Sequence, residues 1–161
     1  MRNILVTVIA TVLVPGGAVV LVPYWILQAT GGLASPQVGF LEVVSVALAL
    51  AGAGMVVWVS ATFVAKGGGT PVPIDPPQNF VAEGLYRFVR NPMYFGALLI
   101  LFAESIFFRC AWILLYAGVL WLALHSFTVL LEEPQLEQRF GGTYLDYKTR
   151  TPRWIPRRPR S

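Results

Sequence analysis

Charge is scarce in this sequence. Asp, Glu, Lys and Arg make up 12% of its 161 residues, about half the share that ordinary soluble domains carry. Hydrophobic residues make up 56%, and one soluble core is an awkward place to bury that much apolar surface. Lipid removes the difficulty. Cysteine is nearly absent. Cys110 stands alone, which excludes an internal disulfide framework. With a single histidine, His125, beside that single cysteine, no metal-ligand cluster can be read, and none is expected. Internal repeats are also missing. A chain of this length allows one domain.

Four apolar runs are present. The first covers residues 4–27 without a charge, and the second covers 40–65 with only Glu42. The third covers 92–108 and holds Glu104, and the fourth covers 111–131 and holds His125. Crossing the hydrocarbon takes about 20 apolar residues, so the first, second and fourth runs qualify and the third is short. Between the last two, Arg109 and Cys110 leave room only for a tight turn, so they read as a helical hairpin. The first run also resembles a signal sequence, but it is longer than the roughly 7–15 residues of such a core and reads as a retained span. In the second run Ser45, Ala49 and Ala53 recur four apart, a small-residue face suited to close helix packing.

Threading four spans puts eleven of the twelve basic residues on one side and only Arg109 on the other. This is the positive-inside pattern, with both termini cytoplasmic in an inner (cytoplasmic) membrane. It also accounts for the net charge of +4 without nucleic acid as a partner. The reading is an all-α integral membrane protein of one domain, with about four transmembrane helices. Residues 1–65 form an N-terminal hairpin, and 66–161 form a second part in which a short interfacial amphipathic helix follows span four, from Pro134 to about Phe140. Residues 67–77, with three glycines and four prolines, cannot be a helix interior and read as a linker on composition.

The polar residues that could carry chemistry converge on the cytoplasmic face. Asn91-Pro92 is an N-cap and N1 pair opening span three. That helix start, behind Arg87 and Arg90, suits an anion. Span four returns to the same face at Glu132-Glu133-Pro134. The adjacent glutamates point about 100° apart, so one can accept ligand hydroxyls while the other meets water or an arginine. Tyr86 and Tyr94 rim the place, and their ring faces suit a sulfonium cation.

These segments together resemble a known family. They are Arg90-Asn91-Pro92-Met93-Tyr94-Phe95-Gly96, Leu131-Glu132-Glu133-Pro134, and Phe140-Gly141-Gly142-Thr143-Tyr144-Leu145-Asp146-Tyr147-Lys148. They are similar to the integral membrane methyltransferases, which include the isoprenylcysteine carboxyl methyltransferases and the phosphatidylethanolamine N-methyltransferases. The resemblance covers residues 66–156 and implies S-adenosyl-L-methionine as cofactor and a lipophilic acceptor. It also recasts the glycine- and proline-rich linker as a segment that closes over the cofactor. By position it implies cofactor contacts at Gln78, Asn79, Phe80, Val81, Tyr86, Arg90, Asn91, Pro92, Met93, Tyr94 and Glu132. Asn91 stands where the carboxyl methyltransferases have histidine, although the phospholipid enzymes share Asn-Pro-Met-Tyr. Thr128 stands where eukaryotic carboxyl methyltransferases hold the substrate carboxylate with arginine, and it is the expected acceptor-side residue.

Methyl transfer from a sulfonium is an in-line displacement in which positioning supplies much of the catalysis. An amine acceptor would need a base: His125 and Glu104 are the ionisable groups within the spans, and His125 and Glu133 are the candidates. Glu104 lies about 15 Å along its helix from Tyr94, towards the other face. A competing reading from another class is a small non-enzymatic assembly or interaction factor on the same fold.

Overall fold

The structure is a computed structural model that describes residues 16–32, 39–62, 65, 80 and 82–158. The glycine- and proline-rich segment and the first fifteen residues lie outside the described residues. Five helices account for the regular structure among those described: α1 (Gly17–Thr30), α2 (Phe40–Thr62), α3 (Pro92–Phe107), α4 (Ala111–Phe140) and α5 (Gly142–Arg150). A 3-10 turn, Gly84–Arg87, precedes α3. No strand occurs among the described residues.

Helices α2 and α4 are long and apolar enough to cross a membrane, at 23 and 30 residues, whereas α3 has only 16. Helix α2, and α4 as far as Phe127, are apolar nearly all round and turn large side chains outward: Phe40, Leu50 and Trp58 on α2, Trp112, Leu115 and Leu122 on α4. Apolar surface all round a helix is the composition of one that faces lipid or deep core.

The packing of α2 on α3 corrects one expectation. The buried face of α2 runs through Glu42, Ser45, Gly52 and Val59, while Ala53 is exposed. These positions step by three and then by seven, two turns at a time, so the seam drifts off a strict four-residue ladder and meets Gly52. A Cβ on Gly52 would stand 2.6 Å from the Gly96 carbonyl oxygen, and one on Gly96 would stand 2.8 Å from that of Gly52. Two glycines therefore set the closest approach of the helices, as small residues do where lipid supplies no hydrophobic drive.

Two π-helical segments have one cause. Gly17–Leu21 and Thr128–Glu132 each end two residues before a proline, Pro23 and Pro134. Proline has no N–H to give the carbonyl four residues back. The residue before it then reaches one position further: Val22 N–H donates to the Gly17 carbonyl, and Glu133 N–H to the Thr128 carbonyl. In α1 the bypassed Ala18 carbonyl is taken instead by the Tyr116 hydroxyl at 3.1 Å, tying α1 to α4. In α4 the helix runs on through Pro134 to Phe140. The expected stop at Glu132-Glu133-Pro134 is therefore a change of helix type, not an end. Single-turn π segments inside α-helices recur at functional sites.

The core joins α1, α3 and α4 through Val19, Leu27, Leu101, Ile113 and Ala117. At the other end of α3, Met93 and Val59 pack with Val56, Leu85 and Tyr86. Phe108, Arg109 and Cys110 make the tight turn between α3 and α4, with Arg109 at φ 49. Gly141, at φ 53 and ψ −130, swings α5 back beside the start of α3.

Candidate active site

The start of α3, the π segment of α4, α5 and the residues after α5 meet at one place. Glu133 is its electrostatic centre. This side chain is 5% exposed, and a carboxylate buried to that degree needs partners. It has three. Arg90 Nη1 donates to Oε1 at 2.8 Å, Arg153 Nε donates to Oε1 at 2.6 Å and Nη2 to Oε2 at 3.0 Å, and Lys148 Nζ lies 3.4 Å from Oε2. Lys148 also contacts Glu137. Hydrogen bonding to these carboxylates raises the Lys148 ammonium and Arg153 guanidinium above their usual ranges, so both stay charged.

Arg90, which reads with Arg87 and the start of α3 as an anion site, meets one of the two adjacent glutamates: Glu133 balances its charge, because the continuous α4 carries that carboxylate inward. Its Nε remains buried without a hydrogen-bond partner. Arg87 is exposed.

Glu132 is treated quite differently. It is half-buried, and its one hydrogen bond from α3 is a long 3.4 Å contact from the Tyr94 hydroxyl to Oε2. Thr128 is 1% exposed. Its hydroxyl lies beside the Glu132 carboxylate and is buried without a well-formed hydrogen bond. Buried polar groups are almost always satisfied, so unpaired ones call for an explanation.

Tyr86 extends this group outward. Burial pushes its phenol well above the usual tyrosine range, and the neighbouring Glu132, Tyr147 and Tyr94 add to the effect. Tyr147 donates its hydroxyl to the Tyr86 carbonyl at 2.8 Å, and its own phenol is raised by burial. Phe80 packs against Tyr147, Phe140 and Tyr144 with ring centroids 5.1, 5.4 and 5.8 Å apart. Phe80 and Tyr147 also line a cleft of about 500 Å³, with Arg87, Thr143, Asp146 and Arg150.

Pro92 and Met93 open α3 as expected, but Asn91 does not cap it through its side chain. Asn91 Nδ2 donates to the Arg153 carbonyl at 3.2 Å instead. The amide is drawn outward because residues 151–157 lie across the helix start: Arg90 N–H also donates to the Pro152 carbonyl at 2.9 Å, and Arg157 N–H to the Phe88 carbonyl at 3.0 Å. His125 Nδ1 accepts the Trp154 indole N–H at 3.0 Å. Among the expected site residues, the structure therefore brings Tyr86, Arg90, Asn91, Tyr94, Thr128, Glu132 and Glu133 to one place, with Phe80 at its edge. Gln78, Asn79 and Val81 lie outside the described residues. Glu104 is elsewhere on α3, with a buried Oε2 that lacks a partner. Among the described residues no group of His, Cys, Asp and Glu could hold a metal ion.

The aromatics and arginines of 152–156 read as a headgroup-layer stretch that helps cover the cofactor, but the contacts of Arg153 with Glu133 and of Trp154 with His125 are not legible there. Pro152 and Pro156 on either side of them were the available sign, since two prolines hold that stretch extended.

Over 85 aligned residues the chain is 35% identical to a Bradyrhizobium diazoefficiens protein named methanethiol S-methyltransferase 2. The match takes in 50% of this chain and 30% of that relative's length. The phospholipid methyltransferase pattern matches residues 41–143, from the first turn of α2 into α5, and so includes both partners of the Tyr94–Glu132 contact. More than half of the sequence lies within that match, and the chain belongs to the phospholipid methyltransferase family.

Proposed function

We propose that this protein transfers a methyl group from S-adenosylmethionine to a lipophilic acceptor at the cytoplasmic face of a membrane. One observation carries the reading: a half-buried carboxylate, Glu132, with spare accepting capacity, lies beside an unpaired buried hydroxyl and an aromatic wall. The residues present fit such a cofactor. Glu132 has about four lone-pair positions, against one long bond from Tyr94, and can accept a pair of ribose hydroxyls. Arg90 Nε and the first N–H groups of α3, which have no carbonyl within the helix to bond, suit the carboxylate of its amino-acid moiety. The ring faces of Tyr86 and Tyr94 suit a sulfonium. Pro92, Met93 and Asn91 shape the same helix start, and Phe80 with Gln78, Asn79 and Val81 would cover it.

When bound, the cofactor supplies an electrophilic methyl group. The chain's part is to position and to exclude water. Glu133 has three cationic partners, which leaves it poorly suited to act as a base and well suited to hold Arg90, α5 and the residues after α5 around α4. Phe80, Phe140, Tyr144 and Tyr147 shield the place from the aqueous side. Thr128 lies inside it with a hydroxyl and no fixed charge, so an acceptor carboxylate would find no cationic partner at that position.

The length of α4 and the one-sided placement of the basic residues support the membrane arrangement. Twenty residues of α4 from Ala111 span about 30 Å, which brings the helix to the bilayer surface just before Glu132 and Glu133. With α1, α2 and α3 also crossing, the chain has four spans, both termini are cytoplasmic, and α5 lies in the interfacial layer. An acceptor could then reach the site sideways from the bilayer. The relative's name favours a second, narrower reading, in which the acceptor nucleophile is a thiol.

The test is methyl transfer from labelled cofactor to a prenylcysteine analogue, a phosphatidylethanolamine and a small lipophilic thiol. The expected result is transfer to a lipophilic acceptor, with the thiol preferred to the carboxylate, and increased use of the carboxylate by Thr128→Arg. Methylation of water-soluble acceptors alone would overturn the proposal. No effect of Thr128→Arg in a protein that prefers the prenylcysteine analogue would overturn the role of Thr128.

A further inference from the structure

We propose that His125 is a positioning residue. By accepting the Trp154 indole N–H it pins residues 151–157 across the start of α3, and it does not serve as the proton acceptor of the reaction. The inference rests on the methyl-transfer reading above, and the experiment below separates the two.

An indole N–H can only donate, so the imidazole Nδ1 that meets it at 3.0 Å must present a lone pair, and the ring proton belongs on Nε2. The imidazole is also held on its face: Trp121 stacks on it at 5.5 Å between centroids and 23° between planes, and Trp154 lies 6.1 Å from both rings. A ring fixed on one nitrogen and on one face has little freedom to swing towards an acceptor.

The strap that His125 anchors is tied to the site at four further points. The Pro152 carbonyl takes the Arg90 N–H, the Arg153 carbonyl takes Asn91 Nδ2, the Arg153 guanidinium grips Glu133, and the Phe88 carbonyl takes the Arg157 N–H. All four partners belong to the approach to α3 or to the buried carboxylate opposite it. Only the Trp154–His125 bond reaches down into the apolar part of α4, one turn before the π segment. It therefore fixes how deep the strap sits, and with it Arg90 and Asn91 relative to Glu132. Histidine suits the task because it puts a good acceptor on an otherwise apolar helix face at the distance an indole requires.

The test uses the full chain in detergent with His125→Leu, His125→Asn, Trp154→Phe and the His125→Leu/Trp154→Phe pair. Asparagine keeps an acceptor close to the Nδ1 position but is no base. The first readout needs no activity: trypsin cleavage after Arg153, which requires the strap to leave. His125→Leu and Trp154→Phe should each speed that cleavage about five- to tenfold, the scale of one lost neutral hydrogen bond. His125→Asn should stay within about threefold of wild type, and the double variant should be no faster than either single one. The second readout is kinetic. The loss in His125→Leu should appear as a raised KM for the methyl donor with kcat nearly kept, and His125→Asn should restore it. If His125→Asn keeps the strap protected yet abolishes kcat, His125 is the base and the proposal fails. If Trp154→Phe leaves the cleavage unchanged, the bond anchors nothing and the proposal fails equally. Should His125→Leu not fold, His125→Asn and Trp154→Phe decide alone. A wild-type protein that protects its strap but neither binds nor uses the donor would refute the proposed function and leave the strap standing.

Discussion

The carboxylates at opposite ends of the helix pair formed by α2 and α3 show how differently one chain can treat the same chemical group. Glu42, near the start of α2, is closed off: Arg109 donates to its Oε1 from Nε at 3.2 Å and Nη2 at 2.7 Å, and the Gly39 N–H donates to Oε2 at 3.0 Å. Each oxygen is bonded, and the pair clamps the turn between α3 and α4 to α2. At the other end Glu133 is closed off even more thoroughly, but its neighbour Glu132 has a long bond from a tyrosine, beside a threonine hydroxyl with no partner. The first end is finished as protein. The second has accepting capacity left over, which the proposed methyl donor would take up.

The largest way to break this contrast is Glu133→Gln. It leaves Arg90, Arg153 and Lys148 around a neutral group, and removing one partner of a buried ion pair costs about 3 kcal/mol or more. Thermal unfolding in detergent should show a large drop in midpoint, with donor binding lost as well. Next comes Arg109→Ala, which strands Glu42. It should lower the unfolding midpoint by less than Glu133→Gln does, while the donor's affinity stays at its wild-type value. A matching loss of affinity would mean that the two ends are not separate. The smallest effect is expected from Glu104→Gln. This carboxylate has an unpaired oxygen as well, but it stands on α3 away from the aromatic wall. Turnover within about twofold of wild type would separate an unpaired group from a functional one.

How much of this was legible in the residues depends on the distance over which each signal acts. Helix lengths, the tight turn at Arg109 and the convergence of Tyr94 with Glu132 follow from local hydrophobicity and from antiparallel geometry, both of which are written in the linear order. Glu42 and Arg109 were each noticed as lone charges, but their pairing depends on the register between α2 and α3. That register is set by Gly52 against Gly96, a contact between segments 44 residues apart that no periodicity reports. The π segment escaped for another reason: Pro134 reads as a stop, and only the slipped hydrogen bond from Glu133 to Thr128 turns it into a continuation. Asn91 had the right type for a cap and the wrong competitor, since the Arg153 carbonyl arrives from 62 residues away.

The central claim is that Glu132, not Glu133, is the carboxylate kept for the methyl donor. Calorimetry of S-adenosylhomocysteine binding to wild type and Glu132→Gln, beside their unfolding midpoints, tests it most directly. The account predicts a loss of about 1.5–3 kcal/mol in binding, the scale of a hydrogen bond to a charged group, with an unfolding midpoint equal to or above that of wild type. Unchanged binding, or a binding loss that only tracks a fall in the midpoint, would contradict it.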